Sequence, residues 1–305
     1  MLAIALRLFL VMEVAFYASL ALHYFAASPA GAALAALGGV LGLRAGIVLL
    51  TYVCAWAYRS PAPKISTGQA LGMVLAEYAA FVANFVLILP FERRWMGADR
   101  LKPAAARPPL LLIHGYGCSR GSWWWLRRRL EAAGWTVATL SLEPVYTSID
   151  NFVEPLARRI DAVLAETGAE RVMLVGHSMG GLVARAYLRR FGAGRVARLV
   201  TLGTPHAGSR LSRFGMGQNA RQMEPGSAWL RALGEASAVE TIVIYSPHDN
   251  FVIPQKNLEL AGASLRPIDA LGHLAMLFSP RVAEVLLAAL EGQRGASAGC
   301  KLRKS

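Results

Sequence analysis

The chain has 305 residues, of which 55 % are hydrophobic and only 17 % charged, against about 45–50 % and 25 % in an ordinary soluble domain. That balance excludes a plain soluble domain, and three cysteines (Cys54, Cys118, Cys300) exclude a disulfide framework. The net charge of +13 raises nucleic acid as a partner. The basic residues are scattered, however, with no zinc-finger or RNA-binding motif, so an anionic lipid surface is the simpler counterpart and nucleic acid is set aside.

The apolar excess lies in residues 1–91, whose only acids are Glu13 and Glu77 and whose only bases are Arg7, Arg44, Arg59 and Lys64. Leu8 to Ala27 is long enough to cross a bilayer, for which about 20 apolar residues are needed. A second apolar segment follows at once and only Arg7 precedes the first, so it reads as an anchor rather than a cleaved leader. Ala32 to Tyr58 is the second candidate span. Its Arg44 is costly near mid-membrane, so it should snorkel, face another helix or mark a shorter span. Leu71 to Leu89 carries Glu77 and Asn84 and ends at Pro90; it either spans or lies along the interface.

Residues 92–108 form a basic, proline-containing linker with Arg93, Arg94, Arg100, Lys102 and Arg107. The connection near Ser28–Pro29 has no basic residue, whereas Arg59 and Lys64 flank the next one. With two spans and an interfacial third segment, the positive-inside rule puts every basic stretch and the folded domain on the cytoplasmic side. The expected location is a multi-pass membrane protein, of the inner membrane in a bacterial cell.

A domain over 109–292 follows, with alternating strands and helices on a mostly parallel sheet. Pro109–Ile113 is a buried strand running into His114-Gly115-Tyr116-Gly117. Trp123–Trp125 beside Arg127–Arg129 reads as a membrane-facing patch or as part of a helix core. Thr136–Leu140 is a strand, Ile149–Thr167 a helix and Arg171–Val175 the next strand. After that strand stands Gly176-His177-Ser178-Met179-Gly180, and Leu182–Leu188 resumes helical spacing. Strand, glycine-flanked serine and helix make a nucleophile elbow, whose glycines allow a turn tight enough to expose the hydroxyl.

A serine hydroxyl needs a histidine base and a carboxylate to orient it. His273 lies in a loop before the helical run Val282–Leu287, and Asp249 at the C-terminal end of the strand Thr241–Tyr245, where open α/β sheets keep their crevice. Ser178 is therefore the nucleophile, Asp249 the orienting acid and His273 the base, with Asp269 and Glu224 as fallback acids. The Tyr116 and Met179 backbone N–H groups would form the oxyanion hole. His206, after the strand Arg198–Leu202, reads as a loop anchor. Residues 209–235 are the only insertion long enough for a lid, and 293–305 form a basic tail.

His114-Gly115-Tyr116-Gly117, Gly176–Gly181, Thr201–Gly208 and the Asp249/His273 pair together resemble the α/β-hydrolase superfamily, and within it bacterial triacylglycerol lipases. The resemblance spans about Leu110 to Leu290. It implies a carboxylic-ester hydrolase acting on acyl lipids through an acyl-enzyme on Ser178, with no organic cofactor. Many relatives hold calcium through an aspartate just after the catalytic histidine; here Leu274-Ala275-Met276-Leu277 follows, so no metal is expected. An acyltransferase on the same residues is the alternative, a silent membrane scaffold the remote one. As an anchor, residues 1–91 should be dispensable for the hydrolysis of dissolved esters.

Overall fold

The computed structural model describes residues 1–103, 107–234 and 239–291. The basic tail expected over 293–305 and Glu235, the end of the lid-like insertion, lie outside the described residues. Three helices come first: α1 (Leu2–Tyr24), α2 (Pro29–Ala57) and α3 (Thr67–Val82), which continues through a π-helical stretch over Ala83–Ile88. All three are long and apolar enough to cross a membrane. Their starts are set locally. Ser28 caps α2 ahead of Pro29, and Ser66 and Gln69 form a reciprocal capping box on α3.

α1 and α2 pack closely, because Gly39 lets the Tyr17 ring rest on the α2 backbone where any Cβ would collide. Arg44 takes the second of its three options. It faces α1 and forms a buried ion pair with Glu13, and it also donates to the Val40 carbonyl at 3.2 Å. Each charge neutralises the other where no water can.

α3 buries one face: Met73, Glu77, Ala80, Phe81, Asn84 and Ile88 recur at helical spacing. The opposite face leaves Leu71, Leu75 and Leu87 exposed. The buried face meets the domain that follows. Val48 of α2 with Ala80 and Phe81 of α3 joins the same apolar core as Leu271, Leu274 and Ala275. The N-terminal helices are thus built into the domain, not merely tethered to it. The stretch expected as a linker is strapped down as well. After a single turn, α4 (Glu92–Trp95), Asp99 is buried among Arg120, Arg127 and Arg159 and accepts from Thr139 N at 2.7 Å.

The domain is a six-stranded parallel sheet in the order β2-β1-β3-β4-β5-β6. The strands are β1 (Leu110–Ile113), β2 (Val137–Leu140), β3 (Val172–His177), β4 (Val196–Leu202), β5 (Thr241–Tyr245) and β6 (Ser264–Pro267). Alternate residues serve opposite faces. Leu110 and Leu112 pack with α5 (Trp124–Ala132) and α10 (Pro280–Glu291), the face that α2 and α3 also cover. Leu111 and Ile113 pack with α6 (Val153–Thr167) and α7 (Met179–Phe191). The short helices α8 (Gly217–Gln222) and α9 (Ala228–Leu233) lie in the insertion.

β6 has no apolar run to announce it: Ser264-Leu265-Arg266-Pro267 is an edge strand, where proline costs no ladder bond. The tryptophan–arginine patch divides between the core and the surface. Trp123 is fully buried and Arg127 is held by Asp99 and Glu131, while Arg128 and Arg129 stack over Trp124 and Trp125.

Candidate active site

Ser178 sits between the end of β3 and the start of α7 with φ 53° and ψ −126°. Such a backbone costs a non-glycine residue of order 1–3 kcal/mol and persists only when its neighbours fix it. Here its N–H donates to the Leu202 carbonyl at 2.8 Å, and its own carbonyl accepts from Thr204 Oγ1 at 2.9 Å. Close packing explains the flanking glycines. A Cβ on Gly180 would strike the Ile113 carbonyl, and one on Gly115 would come within 2.9 Å of Ser178 Cβ.

Asp249, in the loop leaving β5, has no exposed surface. Its Oδ1 accepts from Phe251 N at 2.7 Å and Val252 N at 2.8 Å, and its Oδ2 lies 2.7 Å from His273 Nδ1. A carboxylate fixed by three donors holds the imidazole with Nδ1 protonated and Nε2 free to accept a proton. Burial alone would lower the His273 pKa; attraction and hydrogen bonding from Asp249, with a smaller contribution from Glu77, outweigh it and raise the value. The neighbouring His177 donates its Nε2–H to the His273 carbonyl at 3.2 Å, and burial, followed by repulsion from His273, pushes its pKa far down. It stays neutral. Ser178 and His273 line one cavity of about 670 Å³.

The loop carrying His273 is held from the N-terminal helices. Glu77 of α3 accepts from Leu274 N at 3.0 Å and Ala275 N at 2.8 Å. Asn250 accepts from His273 N at 3.0 Å, and its own amide donates to Thr51 Oγ1 of α2 at 2.8 Å. Sequence reasoning missed Glu77, Thr51 and Asn250 as supports. The available signal was a carboxylate in an apolar helix, which is expensive unless it has partners.

Of the other sequence candidates, Tyr116 lines the cavity beside Gly115 and Gly117. Its hydroxyl is engaged with Met216 N and O, each at 2.7 Å. Met179 is the first residue of α7, where helical N–H groups lack an intrahelical partner and the helix dipole favours negative charge. Asp269 and Glu224 are elsewhere: the Asp269 carbonyl accepts from Arg281, and Glu224 faces Arg213 at 3.8 Å. His206 is an anchor, its ring nitrogens 3.2 Å from Arg185 Nη1 and 3.1 Å from Thr201 Oγ1. Within the insertion, Asn219 holds the Val145 carbonyl and Gln222 accepts from Ile149 N, while Phe214 is 84 % exposed at the cavity rim.

Residues 108–231 match the family described as the alpha/beta hydrolase fold. A triacylglycerol lipase of Pseudarthrobacter phenanthrenivorans is 34 % identical over 119 residues, which is 36 % of this chain and 37 % of that protein. Methylesterase 17 of Arabidopsis thaliana is 35 % identical over 102 residues, covering 30 % and 35 %. The chain therefore spans about a third of the length of these relatives. Among solved structures, the mature lipase of Bacillus licheniformis superposes with a TM-score of 0.55 at 17 % identity, covering 64 % of this chain and 96 % of that one. Sheet order, elbow and these matches show that the chain has the alpha/beta hydrolase fold and resembles bacterial triacylglycerol lipases over about a third of its length.

Proposed function

We propose that the protein is a membrane-bound serine carboxylic-ester hydrolase of the lipase type. The observation that carries this reading is a strained serine at a strand–helix elbow, sharing one cavity with a buried, carboxylate-held histidine. Ser178 Oγ attacks the ester carbonyl carbon as His273 Nε2 takes its proton, and Asp249 stabilises the imidazolium that forms. The oxyanion is held by the N–H groups of Tyr116 and Met179, and collapse expels the alcohol, which takes its proton from His273. Water then repeats the sequence on the acyl-enzyme, releasing the carboxylic acid and restoring Ser178.

The substrate is an acyl lipid, a reading supported by the lipase relatives, the apolar cavity and the attached membrane helices. α1 and α2 cross the bilayer as a hairpin, and α3 lies against the domain, since its buried face is already taken by the hydrolase core. This leaves the basic residues Arg59, Lys64 and those of 92–108 on one side, the cytoplasmic one. The test is release of fatty acid from vesicles of defined phospholipid and triacylglycerol by full-length protein in nanodiscs. Release by wild type and none by Ser178→Ala is expected. Equal release by both, or none by wild type on any ester, would refute the reading.

A further inference from the structure

The cavity over Ser178 and His273 is walled only in part by the hydrolase domain. Leu2 and Leu6 of α1, Ile47 and Leu50 of α2, and Phe81 and Phe85 of α3 supply another wall. Each pair is three or four residues apart, so each helix presents one apolar face to the same space. Three separate N-terminal helices converge on a serine that sits in another domain. A volume of about 670 Å³ falls in the range of about 300–1,000 Å³ typical of sites that enclose a small organic ligand.

On the reading of the protein as an ester hydrolase, we propose that α1, α2 and α3 form the acyl-binding subsite, and that its occupant is the long hydrocarbon chain of an ester drawn sideways from the bilayer. Ile47 and Leu50 line the cavity yet remain exposed. The cavity is therefore open along a flank of α2 that bilayer hydrocarbon would touch. A chain already in the membrane enters there without crossing water, and its carbonyl arrives where the apolar wall gives way to the polar end at Ser178 and His273. On the helical wall, the Thr51 hydroxyl is already engaged with Asn250 and the Val48 carbonyl, and the side chains beside it are apolar, which favours a hydrocarbon chain. The ester's alcohol portion lies toward Tyr146 and the exposed Phe214 on the far rim. Chain length, in this arrangement, is measured by the N-terminal helices rather than by the hydrolase fold.

Two measurements on the full-length protein in nanodiscs test this. In the first, kcat/KM is followed across p-nitrophenyl esters from acetyl to palmitoyl. Each methylene buried in the subsite should raise it by about fourfold until the subsite is full, as apolar transfer dictates. Leu50→Trp should lower the long-to-short ratio at least tenfold and move the optimum to shorter chains. Leu34→Trp, on the same helix but away from the cavity, should keep the wild-type ratio. The ratio is internal to each sample and is unaffected by the fraction folded. An unchanged profile in Leu50→Trp would overturn the proposal.

In the second, a long-chain alkyl fluorophosphonate carrying a terminal diazirine is allowed to react, Ser178 Oγ displacing fluoride, and is then irradiated. Cross-links to peptides 2–6 or 47–54 are expected. Cross-links confined to 209–235 would overturn the subsite. Absence of any adduct on Ser178 would instead remove the hydrolase reading beneath it, so the two failures are distinguishable.

Discussion

At the scale of residues, Asp249 has the most measurable consequence. In the proposed mechanism His273 acts as base only when neutral, and Asp249 raises its pKa above the ordinary value of about 6.5. The acidic limb of kcat/KM should therefore lie above that value, with activity gained as pH rises through it. In Asp249→Asn, burial dominates and the limb should move down, while kcat falls roughly 10⁴-fold because the imidazole loses its orientation. A limb that stays in place would mean that another carboxylate holds His273. Ser178→Ala and His273→Ala should each nearly abolish turnover of a soluble ester, and the double variant should be little worse than either. Additive losses would separate the two residues. The elbow and the Asp249/His273 pair were legible because they rest on turn chemistry and chain order. Glu77, Thr51 and Asn250 were not, because nothing in their local sequence says that chain segments about 200 residues apart will meet.

At the scale of elements, α3 carries the consequence. Glu77→Leu leaves the N–H groups of Leu274 and Ala275 without their acceptor, at a cost of about 1–3 kcal/mol each. The loop that aims His273 then loosens. The expectation is a lower melting temperature together with a kcat reduced at least tenfold after correction for folded protein, with KM for a soluble ester little changed. Glu77→Gln, which keeps one carbonyl oxygen at the site, should recover part of kcat. Full activity in Glu77→Leu would show that the contact serves packing alone. The three apolar helices were plain from hydropathy, as were the strands with β-branched or leucine runs. β6 was not, since an edge strand ending in Arg266-Pro267 carries no apolar alternation. Nor did hydropathy distinguish a lipid-facing apolar surface from one that docks on protein, the distinction on which the role of α3 depends.

At the scale of the whole molecule, the helices and the hydrolase are one structure. The sequence suggests a detachable anchor, but Val48, Ala80 and Phe81 belong to the domain core and α3 supports the His273 loop. A chain starting near Ala98 should therefore aggregate or hydrolyse soluble esters at least a hundredfold more slowly than the full-length protein. Wild-type rates from a stable truncated chain would restore the detachable anchor. The central claim is that Ser178, His273 and Asp249 work as one nucleophilic unit in the membrane-bound protein. It is tested most directly by locating a fluorophosphonate adduct on full-length protein in nanodiscs. One adduct on the peptide bearing Ser178 is expected, absent in Ser178→Ala and formed at least a hundredfold more slowly in His273→Ala. An adduct on another residue, or equal labelling of wild type and His273→Ala, would contradict it.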